Sequence, residues 1–216
     1  EIQELFTKFS DKMAQLYLYQ RAMNDIAKKE YQQLEEHTKL LEERPELQEY
    51  SSAYHNMFFS NAKDGQNLRF SMKVHSVDDR KMSVVLHKNK QYQWLLAEAY
   101  EEFEDFLESA YAYAGYTDNN FWPLNDYGSI SLGELENKSF DWHTKRAKEK
   151  RDTPHSILSR FRQVYPELVD IEPNNALQVN LKLAIVLVEH LRHIIVHKGG
   201  VATEKEKFIE QVLKKA

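Results

Sequence analysis

An all-α helical bundle is the fold that this chain of 216 residues predicts, on three observations. Glycine and proline are scarce, with six and five residues, while Leu, Glu, Lys, Gln and Ala abound, a balance that favours long helices over a turn-rich sandwich or barrel. Apolar residues recur at helical spacing over long stretches. At 42% hydrophobic and 12% aromatic, the chain can close a real core, and residues 1–216 read as one helical domain.

From Ile2 to Leu41 the apolar positions Leu5, Phe9, Met13, Leu16, Met23, Ile26, Leu34 and Leu41 recur without a breaker until Pro45, predicting one long N-terminal helix or two nearly collinear ones. Pro45 suits a first helical turn and predicts a second helix to about Phe59, ended by Asn61-Ala62-Lys63-Asp64-Gly65-Gln66-Asn67. Between Leu68 and Leu86, Phe70, Met72 and Val74 alternate as in a strand, and Val84-Val85-Leu86 could pair back across Asp78-Asp79. A small β-hairpin near 68–86 and a helix are both open there. From Lys90 to Tyr113 an apolar face (Trp94, Leu95, Ala99, Phe103, Phe106, Leu107, Ala110) lies opposite Glu98, Glu101, Glu102 and Glu104, with Gly115 as a stop.

Residues 116–153 predict a long excursion with short helices at most, ending in the basic run Lys145 to Arg151. Such a run beside Trp142 and His143 can touch phosphates, although a solvated loop is the commoner role. The aromatic group Tyr111, Tyr113, Tyr116, Phe121 and Trp122 reads as core and loop anchor. Thr153-Pro154 opens a helix through Tyr165; Asn174 or Asn175 caps the next, a helix over about 175–198; and Thr203 with Glu206 forms a capping box for a final one.

A net charge of −5 argues against a surface that grips nucleic acid all over, while leaving room for a local basic cleft. The absence of cysteine removes disulfides, thiolate zinc sites and cysteine nucleophiles, and it fits the reducing cytoplasm. The chain opens on Glu1-Ile2-Gln3-Glu4 without an initiator methionine or a secretory leader pattern, and reads as part of a longer soluble protein. Its most apolar stretch, Leu181 to Ile195, is broken by Lys182, Glu189, His190, Arg192 and His193, which predicts an amphipathic helix and not a membrane span.

That helix carries the chemistry. On a helical wheel Leu177, Leu181, Leu183, Ala184, Ile185, Leu187, Val188, Leu191, Ile194 and Ile195 share one half, and Gln178, Lys182, Glu189, His190, His193 and His197 the other, with Arg192 at the margin. The helix ends in Arg192-His193-Ile194-Ile195-Val196-His197-Lys198-Gly199-Gly200. A permanent guanidinium and an imidazole that titrates near neutrality are what metal-free phosphodiester cleavage needs. Arg192 and His197 are about 140° and about 7.5 Å apart on an ideal helix, so a second surface must complete a shared site. A two-fold partner supplying the same helix end is the simplest source.

The motif Arg192-His193-Ile194-Ile195-Val196-His197, an arginine followed at short distance by a histidine on an apolar helix, resembles the signature of HEPN domains. The run Tyr100-Glu101-Glu102-Phe103-Glu104-Asp105-Phe106-Leu107 is compatible with that family. Arg69 with His75 and Arg80 with His87 satisfy the same loose spacing but lack the apolar helix and the glycine exit. The resemblance implies a metal-independent endoribonuclease of the toxin or antiphage type, active as a homodimer on RNA and requiring no cofactor. His197 would be its general acid or base, Arg192 its phosphate-binding cation, and His193 a further phosphate contact. It also implies an alternative, a catalytically silent dimerisation or ligand-binding module of a larger protein, and leaves room for an antitoxin or other regulatory partner. Arg192 could instead pair with Glu189 or an acidic neighbouring helix. His193 and His197 at i and i+4 are spaced for a divalent metal, but Ile194 stands where the HExxH pattern needs glutamate.

Overall fold

The computed structural model describes residues 2–150 and 154–201, and these are mostly helical, with one two-stranded antiparallel sheet. In order they form α1 (Ile2–Glu43), a 3-10 turn (Pro45–Tyr50), β1 (Ala53–Ser60), β2 (Asn67–His75), α2 (Val77–Thr117), α3 (Leu124–Tyr127), α4 (Leu132–Leu135), α5 (Phe140–Lys148), α6 (His155–Val164), α7 (Glu167–Ile171) and α8 (Leu181–His197). The final helix expected after Thr203, like Arg151 and Thr153, falls outside the described residues. Contacts divide the chain into two units, one of residues 1–17 and 93–216, the other of residues 18–92.

The second unit revises the sequence reading most. Pro45 starts only a 3-10 turn, and the stretch expected to continue as a helix to Phe59 is strand β1. The hairpin exists, but its partners are β1 and β2, in a register running from Ala53 opposite His75 to Ser60 opposite Asn67, with a bulge beside Met57 and Phe58. Val84-Val85-Leu86 lies within α2. The physical reason is at both ends of β2. The segment read as a helix breaker is the hairpin turn, in which Asn61 Oδ1 accepts from Lys63 N, Asp64 Oδ1 accepts from Gln66 N, and Gly65 supplies a positive φ of 72°. Asp79, read as part of a turn, instead closes a capping box with Ser76: its N–H donates to Ser76 Oγ at 3.1 Å and its Oδ2 accepts from Ser76 N at 3.0 Å. The Ser76 hydroxyl, which donates to Oδ2 at 2.8 Å, and then the Ser76 N–H hold the exposed Asp79 carboxyl below its ordinary range, with His75 and Lys73 adding to the effect. Leu34, Leu41, Val77 and Val84 form the core of this unit, with Ala27, Tyr31 and Leu47 packed against it.

In the first unit, the α2 face predicted to be apolar is buried at Leu107 and Ala110, with Phe103 half-buried. The helix does not stop at Gly115. It continues to Thr117, and Gly115 lies against the indole of Trp122, where any β-carbon would collide with the ring. Trp122 in turn stacks on Tyr111 and donates Nε1–H to the Tyr111 carbonyl at 2.8 Å. With Phe121, Tyr127, Leu135, Ala147 and Ile157 these rings make the main core. Of the aromatic cluster, Tyr111, Phe121 and Trp122 are therefore core, while Tyr113 is half-buried and Tyr116 exposed.

Residues 118–150 form the expected excursion with short helices, and Arg146 and Lys150 of the basic run are tied within it, while Lys145 and Lys148 are exposed. Asp126 accepts from the Tyr111 hydroxyl and pairs with Lys150 Nζ at 2.6 Å, while its carbonyl accepts from Arg146 Nε and Nη2 at 3.2 and 3.0 Å. Burial, together with the Asp126 carboxylate, pushes the Tyr111 phenol far up. His143 is buried among Tyr116, Trp122 and Trp142 with Nδ1 on the Ser139 carbonyl at 3.0 Å, so it is not available to a phosphate. No described helix is long and apolar enough to cross a membrane.

Candidate functional site

α8 begins at Leu181, five or six residues later than the sequence suggested. Its N-cap is Asn180, whose Oδ1 accepts from Leu183 N at 2.9 Å, and neither Asn174 nor Asn175 caps it. Asn175 instead ties the preceding loop, its amide donating to the carbonyls of Ile171, Glu172 and Val179. The helix ends at His197 as expected. Gly199 and Gly200 both take positive φ, 63° and 82°, and Gly200 N–H returns to the Ile194 carbonyl at 3.0 Å. The Gly200 carbonyl accepts from Gln93 Nε2 of α2 at 3.2 Å, and a β-carbon on Gly200 would collide with that amide. The glycine pair thus does more than stop the helix: it docks the end that carries His197 onto α2.

Although α8 is the most apolar helix, among its side chains only Val186, which the wheel had not counted as core, is fully buried, and Leu187 and Val196 are exposed. An apolar cavity of about 330 Å³ lies between α2 and α8, lined by Ala99, Tyr100, Phe103, Leu181, Ala184, Ile185 and Val188. A second, larger groove of about 620 Å³ is lined by Trp94, Ala97, Glu98, Glu101, Glu102, Asp105, Ile195 and Val196.

Arg192 sits at the seam between these helices. Its Nη2 donates to Glu101 Oε1 at 3.1 Å, while its Nε is buried and has no hydrogen-bond partner. Of the partners that the sequence offered, the acidic neighbouring helix is the one taken. Glu189 bonds His155 Nε2 at 2.6 Å. The guanidinium also acts on groups that it does not touch. Burial raises the Glu104 carboxyl above its ordinary range and Arg192 pulls it back; burial also drives the Tyr100 phenol up, with Glu104 and Glu189 adding to the rise and Arg192 opposing it. The Tyr100 hydroxyl is a second buried polar atom without a partner.

His193 and His197 are exposed, and their rings lie 4.7 Å apart between centroids. Among the described residues, no hydrogen bond or ring contact joins Arg192 to either imidazole. The structure therefore brings the two histidines together and directs the arginine to α2. Glu101 and Tyr100 are the additions that sequence reasoning lacked. Glu101 was visible as a member of the acidic α2 face and Tyr100 only as the residue before it, but a partner 91 residues from Arg192 leaves no local trace. Among the described residues there is no group of three or more His, Asp or Glu side chains arranged to hold a metal ion.

Two adjacent exposed imidazoles can share acid and base roles when one is neutral and the other protonated. A guanidinium that gives one terminal nitrogen to a carboxylate keeps other N–H groups for a phosphate oxygen, because the fork offers five donors. Compared with known protein families, with curated proteins and with solved structures, the chain matches none.

Proposed function

We propose that this chain is a metal-independent endoribonuclease of the HEPN kind, acting as a homodimer in the cytoplasm within a toxin or antiphage system, and held in check by an antitoxin or other regulatory partner. One observation carries the reading: Arg192, anchored by Glu101 through Nη2 and still partly exposed, stands on the same helix end as the exposed His193–His197 pair. In the reaction the ribose 2′-oxygen forms a bond to the adjacent phosphorus and the bond from phosphorus to the 5′-oxygen breaks. The 2′-OH proton passes to the His197 imidazole, and a protonated imidazole delivers one to the departing 5′-oxygen, with the partner copy's helix end supplying the second surface. Arg192 offsets the charge that grows on the phosphate oxygens, and His193 contacts the phosphate. The products are a 2′,3′-cyclic phosphate and a 5′-hydroxyl.

Incubation of the purified chain with a mixed RNA pool tests this directly. We expect cyclic-phosphate ends in the absence of divalent metal, and their loss in Arg192→Ala and in His197→Ala with thermal unfolding unchanged. Full activity in either variant rejects the mechanism.

A second reading has its own support. The groove beside Ile195 and Val196 sets the exposed Trp94 among Glu98, Glu101, Glu102 and Asp105, the last three already paired with Arg192, Lys12 and Lys148, and this mixed apolar and acidic lining suits a catalytically silent module that docks another protein. No cleavage at any protein concentration favours that alternative.

A further inference from the structure

The β1–β2 hairpin has no core of its own. Its strands are exposed almost throughout, and Tyr54, Phe58 and Phe70 keep 64%, 56% and 61% of their surface in the solvent, with Phe59 at 51%. An isolated pair of strands is marginal in water, and rings of this size are seldom left uncovered without a partner. The charge pattern says which partner. From Ala53 to His75 there are three fixed cations, Lys63, Arg69 and Lys73, against one carboxylate, on a chain whose overall charge is −5. That carboxylate, Asp64, is committed to the turn. Among the described residues none of the three cations forms an ion pair: Arg69 donates only to the neutral Asn56 Oδ1, at 3.4 Å, and Lys73 contributes to the field at Asp79 beyond the end of the strand. The exposed His55 and the half-buried His75 add a cross-strand ring pair, 5.0 Å between centroids.

We infer that the hairpin is a platform for single-stranded RNA, its aromatic rings stacking on bases and Arg69, Lys73 and Lys63 holding the phosphates. Exposed rings, among them Phe59 and Phe70 tilted against each other at 6.1 Å, combined with cations that form no ion pair, are what a flexible polyanion with flat bases requires, whereas a second copy of the hairpin would set like charges against each other. The choice of RNA over DNA rests on the ribonuclease reading; the charge and ring arguments do not.

The test measures binding of a labelled oligouridylate by the full chain in a His197→Ala background, which keeps the probe intact. Replacing Phe58 and Phe70 together by alanine is expected to weaken binding by about tenfold or more, and Phe70→Tyr to keep it. Replacing Arg69 and Lys73 by glutamine is expected to weaken it and to flatten the dependence of log affinity on log salt by about 0.7 per cation removed. These side chains are exposed, so the far-UV dichroism should not change. Unchanged affinity and salt slope in both variants overturns the inference. So does capture of the chain by anionic phospholipid vesicles but not by RNA, or a dimer in sedimentation that the alanine changes dissociate while RNA binding stays intact. Loss of RNA binding in the variants of a chain that never cuts RNA removes the ribonuclease reading and leaves the platform standing. Cleavage with hairpin-independent binding does the reverse.

Discussion

Glu104 is the residue whose surroundings make the clearest prediction about pH. Burial raises its carboxyl even though Arg192 opposes the rise, so the folded chain holds that proton more tightly than the unfolded one. The contribution to stability is then complete below the unfolded value, about 4.3, and is lost as pH rises through the folded one. Glu104→Gln should therefore raise the melting temperature at neutral pH and leave it nearly unchanged at pH 4. A lower melting temperature at neutral pH would mean that Glu104 matters chiefly as a partner of Arg192. At this scale the sequence was partly legible. The arginine and histidines of α8 stand where the motif put them, and the exposure of His193 and His197 follows from the wheel. The bond from Arg192 to Glu101 did not follow, because it depends on which turn of α2 meets α8. Tyr100, an apolar-looking position in the same run, hides its unpartnered hydroxyl for the same reason.

Among the elements, long periodic runs were read well and short ones were not. α1 and α8 carry enough turns for their period to dominate, and the C-terminus of α8 is marked by the two glycines that it needs. The hairpin was displaced because a run of apolar residues such as Met57-Phe58-Phe59 has no period, and because its turn has the same composition as a helix break. Gly115 was read as a stop when its purpose is packing, a distinction that only the position of Trp122 can make. The corresponding prediction is that Gly115→Ala costs about 1–3 kcal/mol, since the indole is buried and hydrogen-bonded and cannot withdraw. Calorimetry checks it. A melting temperature equal to that of the unmodified chain would show that the helix can shift away from the ring.

For the whole molecule, the composite character of the proposed site makes an assembly prediction. If each site takes Arg192 from one copy and His197 from the other, neither variant alone is active. Mixing Arg192→Ala and His197→Ala chains after unfolding and refolding should then restore about a quarter of the activity, because half of the dimers are mixed and each of these has one intact site. No recovery would place both groups in a single copy, or require all four in one cleft. The helical class of the chain was legible from its glycine and proline content. Its division into two units was not, because no linker marks the boundary.

The missing linker has a practical meaning. The boundary at Tyr17–Leu18 falls inside α1 and the one at Tyr92–Gln93 inside α2, so each of the two longest helices belongs to both units. Either half can be isolated only by severing continuous hydrogen-bonded backbone, and limited digestion should find no soft joint at these positions. The smallest piece that keeps both helices whole, and with them the hairpin, runs from Ile2 to Thr117 and leaves α8 behind, so any attempt to separate the RNA platform from the candidate catalytic helix has to be made by point substitution and not by truncation.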